Sequence, residues 1–263
     1  LALLVLAAAA GLEVTALHVD HALRPGSEAE AGVVGRAARQ VGAHFVALSA
    51  PVEPGPNLEA RARAARHRAL PDDVALGHTA DDQAETVLLA LLRGSGLAGA
   101  AAMAPGPRHP LLALRRVETE AVCTVEGLRP VRDPTNELPV HRRNRVRHEV
   151  LPLLGEVAER DVVPLLCRHA DHARAALADI DARAQQVDVL DVAGLRAAGD
   201  VVAAEALRSW LRSTSTDAHP PDAAAIERVL EVVHGRIVAT QINGGWSVAR
   251  SRGRLRLEPP PDR

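Results

Sequence analysis

The sequence contains no lysine, and all 31 of its basic residues are arginines. Tyrosine is absent too, and the aromatic residues are limited to Phe45, Trp210 and Trp246. A sequence-wide codon bias is a sufficient cause, yet it has a chemical consequence. Any contact to a phosphate or a base must come from arginine, histidine, backbone N–H groups or small polar side chains. Arginine suits both tasks, because its planar fork binds phosphate bidentately and stacks on bases. Cysteine is nearly absent: Cys123 and Cys167 stand far apart and make neither a disulfide framework nor a CxxC site, which suits a cytosolic protein. Long apolar runs are missing as well. The opening LALLVLAAAA is too short for a membrane span, and no basic stretch precedes it as in a signal peptide. The net charge of −2 gives no global pull towards nucleic acid, so a basic surface has to be local. What is present, 263 residues with 47% hydrophobic and 24% charged, is the ordinary mix of a folded soluble protein of one large domain or two smaller ones.

The first half alternates strand and helix signals. EVTALHVDH (13–21) is a short β-rich run ending in polar residues. Residues 27–42 carry helical spacing at Ala31, Val34, Ala38 and Val41 and stop near Gly42. AHFVALSA is again strand-like, and NLEARARAARHRAL (57–70) opens on Asn57 at an N-cap position. DVALGH (73–78) reads as a strand and DDQAETVLLALLR (81–93) as a helix. Alternation at this spacing implies parallel strands with right-handed crossovers, a doubly wound α/β sheet. Ligands of such sheets sit at the carboxyl ends of the strands, where HVDH and GHTADD fall. Only Pro71 and Asp72 separate the helix from the strand that follows, an unusually tight connection.

Residues 94–112 are rich in glycine and proline and read as a long loop. GSGLAG matches the dinucleotide pattern GxGxxG, but it follows a helix rather than a strand and is taken as loop. Residues 116–127 read as helix, RPVRDPTN as turns, and HRRNRVRHEVLPLL as helix again. From about residue 156 the chain turns into Ala- and Arg-rich helical stretches up to about 213, with another helix over 221–234. The closing GRIVATQINGGWSVARSRGRLRLEPP alternates around Gly-Gly and Arg-Gly turns, as a small antiparallel meander does. A boundary is expected near residue 155, with a catalytic domain over 1–155 and a smaller, mainly helical domain over 156–263. His169 and His172 have the spacing of a metal pair, but with no third ligand in view they read as solvated helix surface, and no metal site is assigned.

The stretch GHTADDQAETVLLALLRGSG gathers His78, Asp81, Asp82 and Glu85 in front of an apolar run. Carboxylates are favoured at a helix N-terminus, where they face the positive end of the dipole and accept from unpaired N–H groups. That accounts for Asp81. It accounts less well for Glu85 and says nothing of His78. Asp82 and Glu85 are three residues apart and so share a helix face.

HVDHALRPGS, NLEARARAARHRAL, GHTADDQAETVLLALLRGSGLAG, HPLLALRR, and DPTN followed by RRNRVRHEVLP resemble, in this order, the successive motifs of the bacterial tRNA(Ile)-lysidine synthase family. The resemblance covers residues 1 to about 155, and five ordered motifs make it specific. It implies the PP-loop ATP pyrophosphatase fold, whose Ser-Gly-Gly-x-Asp-Ser loop immediately precedes a segment like LALLVLAAAA. That loop is expected upstream of Leu1, since a Gly-rich anion cradle is needed and no stretch here replaces it. The implied reaction uses ATP, with Mg2+, to adenylate the wobble cytidine of the CAU anticodon of tRNA(Ile). The side-chain amine of L-lysine then displaces AMP. The implied lysine pocket is Asp82 and Glu85, with His78 and Arg66 also catalytic. Asp20, His21, Arg143 and Asn144 are implied at ATP, and Arg116, Arg142, Arg145 and Arg147 at tRNA. The bland readings of the same residues are turn ends for Asp20 and His21 and solvated helix faces for the arginines.

Two other functions fit the fold. A tRNA thiolase also activates a base carbonyl with ATP, but generally needs reactive cysteines or an iron–sulfur cluster, and Cys123 lies among apolar neighbours. A non-catalytic tRNA-binding protein would fit a chain without a phosphate loop.

Overall fold

A computed structural model of the chain describes residues 1–20, 28–52, 55, 58–131, 141–214 and 222–259. Two compact units, Leu1–His172 and Ala173–Arg263, divide it within one long helix.

The first unit opens with helix α1 (Ala2–Ala9) and strand β1 (Thr15–Asp20), continues through α2 (Glu28–Gln40) to β2 (His44–Ser49), and then enters α3 (Leu58–Ala69). β1 and β2 pair in parallel, Thr15 opposite His44 and Asp20 opposite Ser49, with α2 as the crossover that parallel pairing requires. Ala37 and Ala38 of α2 are fully buried with Leu4, and Phe45 packs beside them. This approach explains Gly35: a Cβ there would lie 3.1 Å from the Phe45 ring, tighter than an ordinary contact.

Residues 73–78, expected as a strand, form none. A strand needs a neighbour with which to exchange backbone hydrogen bonds. Here the Leu76 N–H goes instead to the Arg108 carbonyl, at 2.8 Å, in an irregular turn-rich segment. The tight connection after Leu70 is thus a loop that leads straight to helix α4 (Ala80–Leu92). α4 begins after Thr79 and ends where Gly94 takes φ +70°. The glycines of GSGLAG cap this helix and start the four-residue α5 (Leu97–Ala100). The Gln83 side-chain amide bonds the Met103 carbonyl at 2.9 Å and its N–H at 3.0 Å, fastening the following loop to α4.

Helix α6 (Arg116–Val125) follows. Residues 142–158 form one helical path of α7 (Arg142–Arg145), a π-helical turn (Val146–Val150) and α8 (Leu151–Ala158). α9 (Val163–Ala184) places Val163, Leu166 and Cys167 against Ala80 and Ala84 of α4.

The second unit holds α10 (Val192–Ala198), α11 (Asp200–Thr214), α12 (Ala223–His234) and strands β3 (Ala239–Gln241), β4 (Ser247–Ser251) and β5 (Arg254–Glu258). The strands form an antiparallel meander in the order β3-β4-β5. Arg252 and Gly253, with φ +50° and +77°, make the two-residue turn between β4 and β5. Leu195, Leu207, Leu211, Val229, Val232 and Val248 are each fully buried in its core. Burying each such side chain contributes roughly 1.5–3 kcal/mol. Asp191 and Asp222 cap α10 and α12 through their carboxylates. Among the described residues, no helix is long and apolar enough to cross a membrane.

Candidate functional site

The acidic cluster is built where two helices begin. Thr79 donates to Asp82 Oδ2 from its N–H at 2.9 Å and from its hydroxyl at 3.0 Å, which fixes the first turn of α4. Asp81, one residue earlier, caps the neighbouring helix: its Oδ2 accepts the Arg116 N–H, at the start of α6, at 2.7 Å. The positive ends of both dipoles therefore converge on carboxylates.

Glu85 has no solvent exposure at all. Its Oε1 accepts from Arg147 Nε at 2.6 Å and Arg116 Nη2 at 3.2 Å. Its Oε2 accepts from Arg143 Nε at 2.6 Å and Arg147 Nη2 at 3.1 Å. Asp82 Oδ1 accepts from Arg116 at 3.0 Å and Arg143 at 3.1 Å. Two carboxylates thus stand inside a cage of three guanidiniums, and a buried Glu is tolerable for that reason. Arg143 and Arg147 reach together because they are four residues apart on one helical face. Outside the cage, Arg115 holds Asp81 through Nε and Nη2, at 3.1 and 3.0 Å, and also pairs with Asp161.

Burial alone would raise the Asp82 carboxyl pKa. The Thr79 N–H and the charges of Arg116 and Arg143 overcome it and hold the group below its ordinary value. Asp81 is lowered in the same way, with burial opposed by Arg115 and the Arg116 N–H. Beside Glu85 lies an open cavity of about 420 Å³, lined by Asp81, Arg115, Arg116, Arg147, Asp161 and the start of α8.

His78 lies one residue before Thr79, half-buried, with its Nδ1 3.1 Å from His109 Nδ1. Asp20 ends β1, half-buried, and its carbonyl accepts the Ala50 N–H at 2.8 Å. His21 lies outside the described residues. Asn144 is buried on α7 beside Arg143. Arg66 is exposed on α3. Of the four arginines assigned to tRNA, the structure places Arg116 and Arg147 on the carboxylates. Arg142 and Arg145 are exposed, the latter paired with Glu149 one turn on. Arg115, Asp161 and His109 were not singled out from the sequence. The doublet Arg115-Arg116 and the His109 of HPLLALRR were the available signals, but neither names its partner. Among the described residues no group of three histidine, cysteine or acidic side chains is arranged to hold a metal ion.

The family profile of the PP-loop domain matches residues 1–154, and that of the TilS substrate-binding domain matches residues 190–256. The chain is 38% identical to a tRNA(Ile)-lysidine synthase of Nocardia farcinica over 284 residues, covering 97% of this chain and 87% of that protein. It is 37% identical to the enzyme of that name from Rhodococcus erythropolis, covering 98% and 86%. For the Rhodococcus jostii enzyme the identity is 43%, with 80% and 70% covered. Among solved structures, a U34-tRNA thiolase from Methanococcus maripaludis with its [4Fe-4S] cluster superposes with a TM-score of 0.50 at 14% identity, over 61% of each chain. That likeness concerns the fold alone.

Proposed function

The chain belongs to the tRNA(Ile)-lysidine synthase family, with a PP-loop ATP-binding domain, and from that premise we propose how it makes lysidine. ATP adenylates the carbon-2 carbonyl oxygen of the wobble cytidine in a CAU anticodon, and pyrophosphate leaves. The side-chain ammonium of free L-lysine gives a proton to water, the resulting amine attacks carbon 2, the carbon–oxygen bond to AMP breaks, and a second nitrogen proton passes to water. The observation that carries this reading is the Asp82–Glu85 pair on one face of α4, with Glu85 itself lining an open cavity of about 420 Å³.

In this reading Asp82 and Glu85 hold the lysine ammonium. Every oxygen of the pair already receives a donor, so the ammonium has to replace a guanidinium. Arg143 is the one to move: like Arg116 it bridges both carboxylates, and of the three it is the one assigned to ATP. Its transfer to the triphosphate opens a position on Asp82 and on Glu85 together, so ATP precedes lysine. Asp82 is a weak base, held below the ordinary carboxylate value, and it orients the amine rather than deprotonating it. The remaining guanidiniums, Arg116 and Arg147, oppose the two carboxylates, which by themselves would hold the amine in its charged, non-nucleophilic form. The described residues do not form a magnesium site of their own, and magnesium is assigned to the ATP phosphates, the common way that ion is held.

The thiolase alternative is disfavoured by the cysteines of this chain. Cys123 is buried, and burial together with Asp171 pushes the Cys167 thiol up to about 11, leaving little thiolate at neutral pH. The test is incorporation of labelled lysine into an isoleucine tRNA transcript with a CAU anticodon. Incorporation that requires ATP, with AMP and pyrophosphate as products, supports the reading. Pyrophosphate release without lysine transfer, or sulfur transfer in its place, overturns it.

A further inference from the structure

The His78–His109 contact is held from both sides by backbone. The Leu76 N–H donates to the Arg108 carbonyl at 2.8 Å, and the Ala80 N–H donates to the Leu114 carbonyl, also at 2.8 Å. The His109 N–H closes a turn onto the Gly106 carbonyl at 2.9 Å. The segments carrying the two rings are therefore fastened to each other just before and just after the rings. Between these fastenings the ring centroids are 5.1 Å apart, with planes tilted by 48°. That tilt removes them from face-to-face stacking and leaves the 3.1 Å Nδ1···Nδ1 approach as the polar contact between the two rings.

Such an approach is attractive only when one nitrogen carries a proton and the other presents a lone pair. Two neutral rings joined in this way must take opposite tautomers, one protonated on Nδ1 and the other on Nε2. The nitrogen that a histidine offers to a reacting group is set by what its other nitrogen does. We propose that His109 is a positioning residue for the reaction, fixing the tautomer of His78 just ahead of the N-terminus of α4. This deepens the proposed function and rests on the catalytic role that the family resemblance implies for His78, one residue before the N-cap of α4. His109 touches neither substrate in this scheme; it acts through His78.

The direct readout is long-range ¹H–¹⁵N correlation of the protein with ¹⁵N-labelled histidine, using His78→Gln and His109→Leu to assign the two rings. In the wild type at neutral pH, the two rings should show opposite tautomers. In His109→Leu the His78 ring nitrogens should shift towards the average of a freely exchanging imidazole. The kcat for lysine incorporation should fall about tenfold, the weight of one lost hydrogen bond, with KM for ATP and lysine changed less than twofold. His109→Asn places an amide nitrogen where Nδ1 stands and can donate or accept, so it should restore most of kcat. Identical tautomers in the wild type, or His78 signals unmoved by His109→Leu, would overturn the proposal even if the leucine variant folds poorly, because the first measurement needs no variant beyond the assignment. Opposite tautomers together with a fully active His78→Gln would keep the ring pairing but remove His78 from the reaction, and the positioning role would fall with it.

Discussion

Replacing Glu85 by glutamine keeps the side-chain shape and removes one charge inside the arginine cage. The four guanidinium N–H groups on Glu85 divide evenly between its two oxygens. Whichever way a glutamine amide lies, one oxygen is retained and an NH₂ takes the place of the other. Two bonds then survive with a neutral acceptor, and two become contacts between donors. Hydrogen bonds to a charged group contribute about 1.5–3 kcal/mol each, which sets the loss at about 3–6 kcal/mol if nothing relaxes. The arginine side chains are 24–28% exposed, so they can turn to water, and Asp82 still binds Arg116 and Arg143. A destabilisation of about 2–3 kcal/mol is expected after that discount. For a unit of 172 residues this lowers Tm by about 4–12 °C. Separately, losing one charge-assisted contact to the lysine ammonium raises KM for lysine by about 10–150-fold. Circular dichroism melting and steady-state lysine incorporation, with tRNA affinity as the control expected to hold, read the two effects apart. A fall in Tm with an unchanged lysine KM would leave Glu85 a structural anchor and refute its place in the lysine pocket. An unchanged Tm would refute the cage itself.

Acid should loosen the same site. Asp81 and Asp82 have folded-state pKa values below their unfolded values, so between the two the unfolded chain binds more protons. Their contribution is complete above the unfolded value, near 4, and is lost as pH falls through the folded values. Urea melts from pH 6 to pH 2 should show it, with a flatter profile in Asp82→Asn that converges on the wild type at the acid end, and a variant profile parallel to the wild type across the whole range would count against the argument. At the exposed end of the basic helix, Arg142→Ala and Arg145→Ala should change stability by less than about 0.5 kcal/mol, since the Arg145–Glu149 pair is solvated. Each should weaken tRNA binding and reduce the slope of log affinity against log salt by about 1, and unaltered slopes would remove both residues from the tRNA surface.

Periodicity and spacing alone settled much of this protein. The apolar positions of 31–41 set helix α2, short β-rich composition set β1 and β2, and the three-residue step put Asp82 and Glu85 on one face. These are local relations, fixed by 3.6 residues per helical turn or two per strand, and they hold wherever the element lies. The ordered motifs carried the family for the same reason, since each is a short local pattern. Residues 73–78 show where that reasoning ends: their composition is strand-like, but a strand exists only beside another, and their backbone bonds go to a turn. The arginine cage lies further beyond it. Arg143 and Arg147 are 58 and 62 residues from Glu85, and their sequence readings were a solvated face or contacts to ATP and tRNA, not a buried carboxylate. His109 meets His78 across 31 residues. Only the packing of α4, α6 and the 142–158 helix against one another decides which cation faces a buried carboxylate and which stays in water. The sequence supplies the charges, and the tertiary structure removes the solvent that would otherwise screen them.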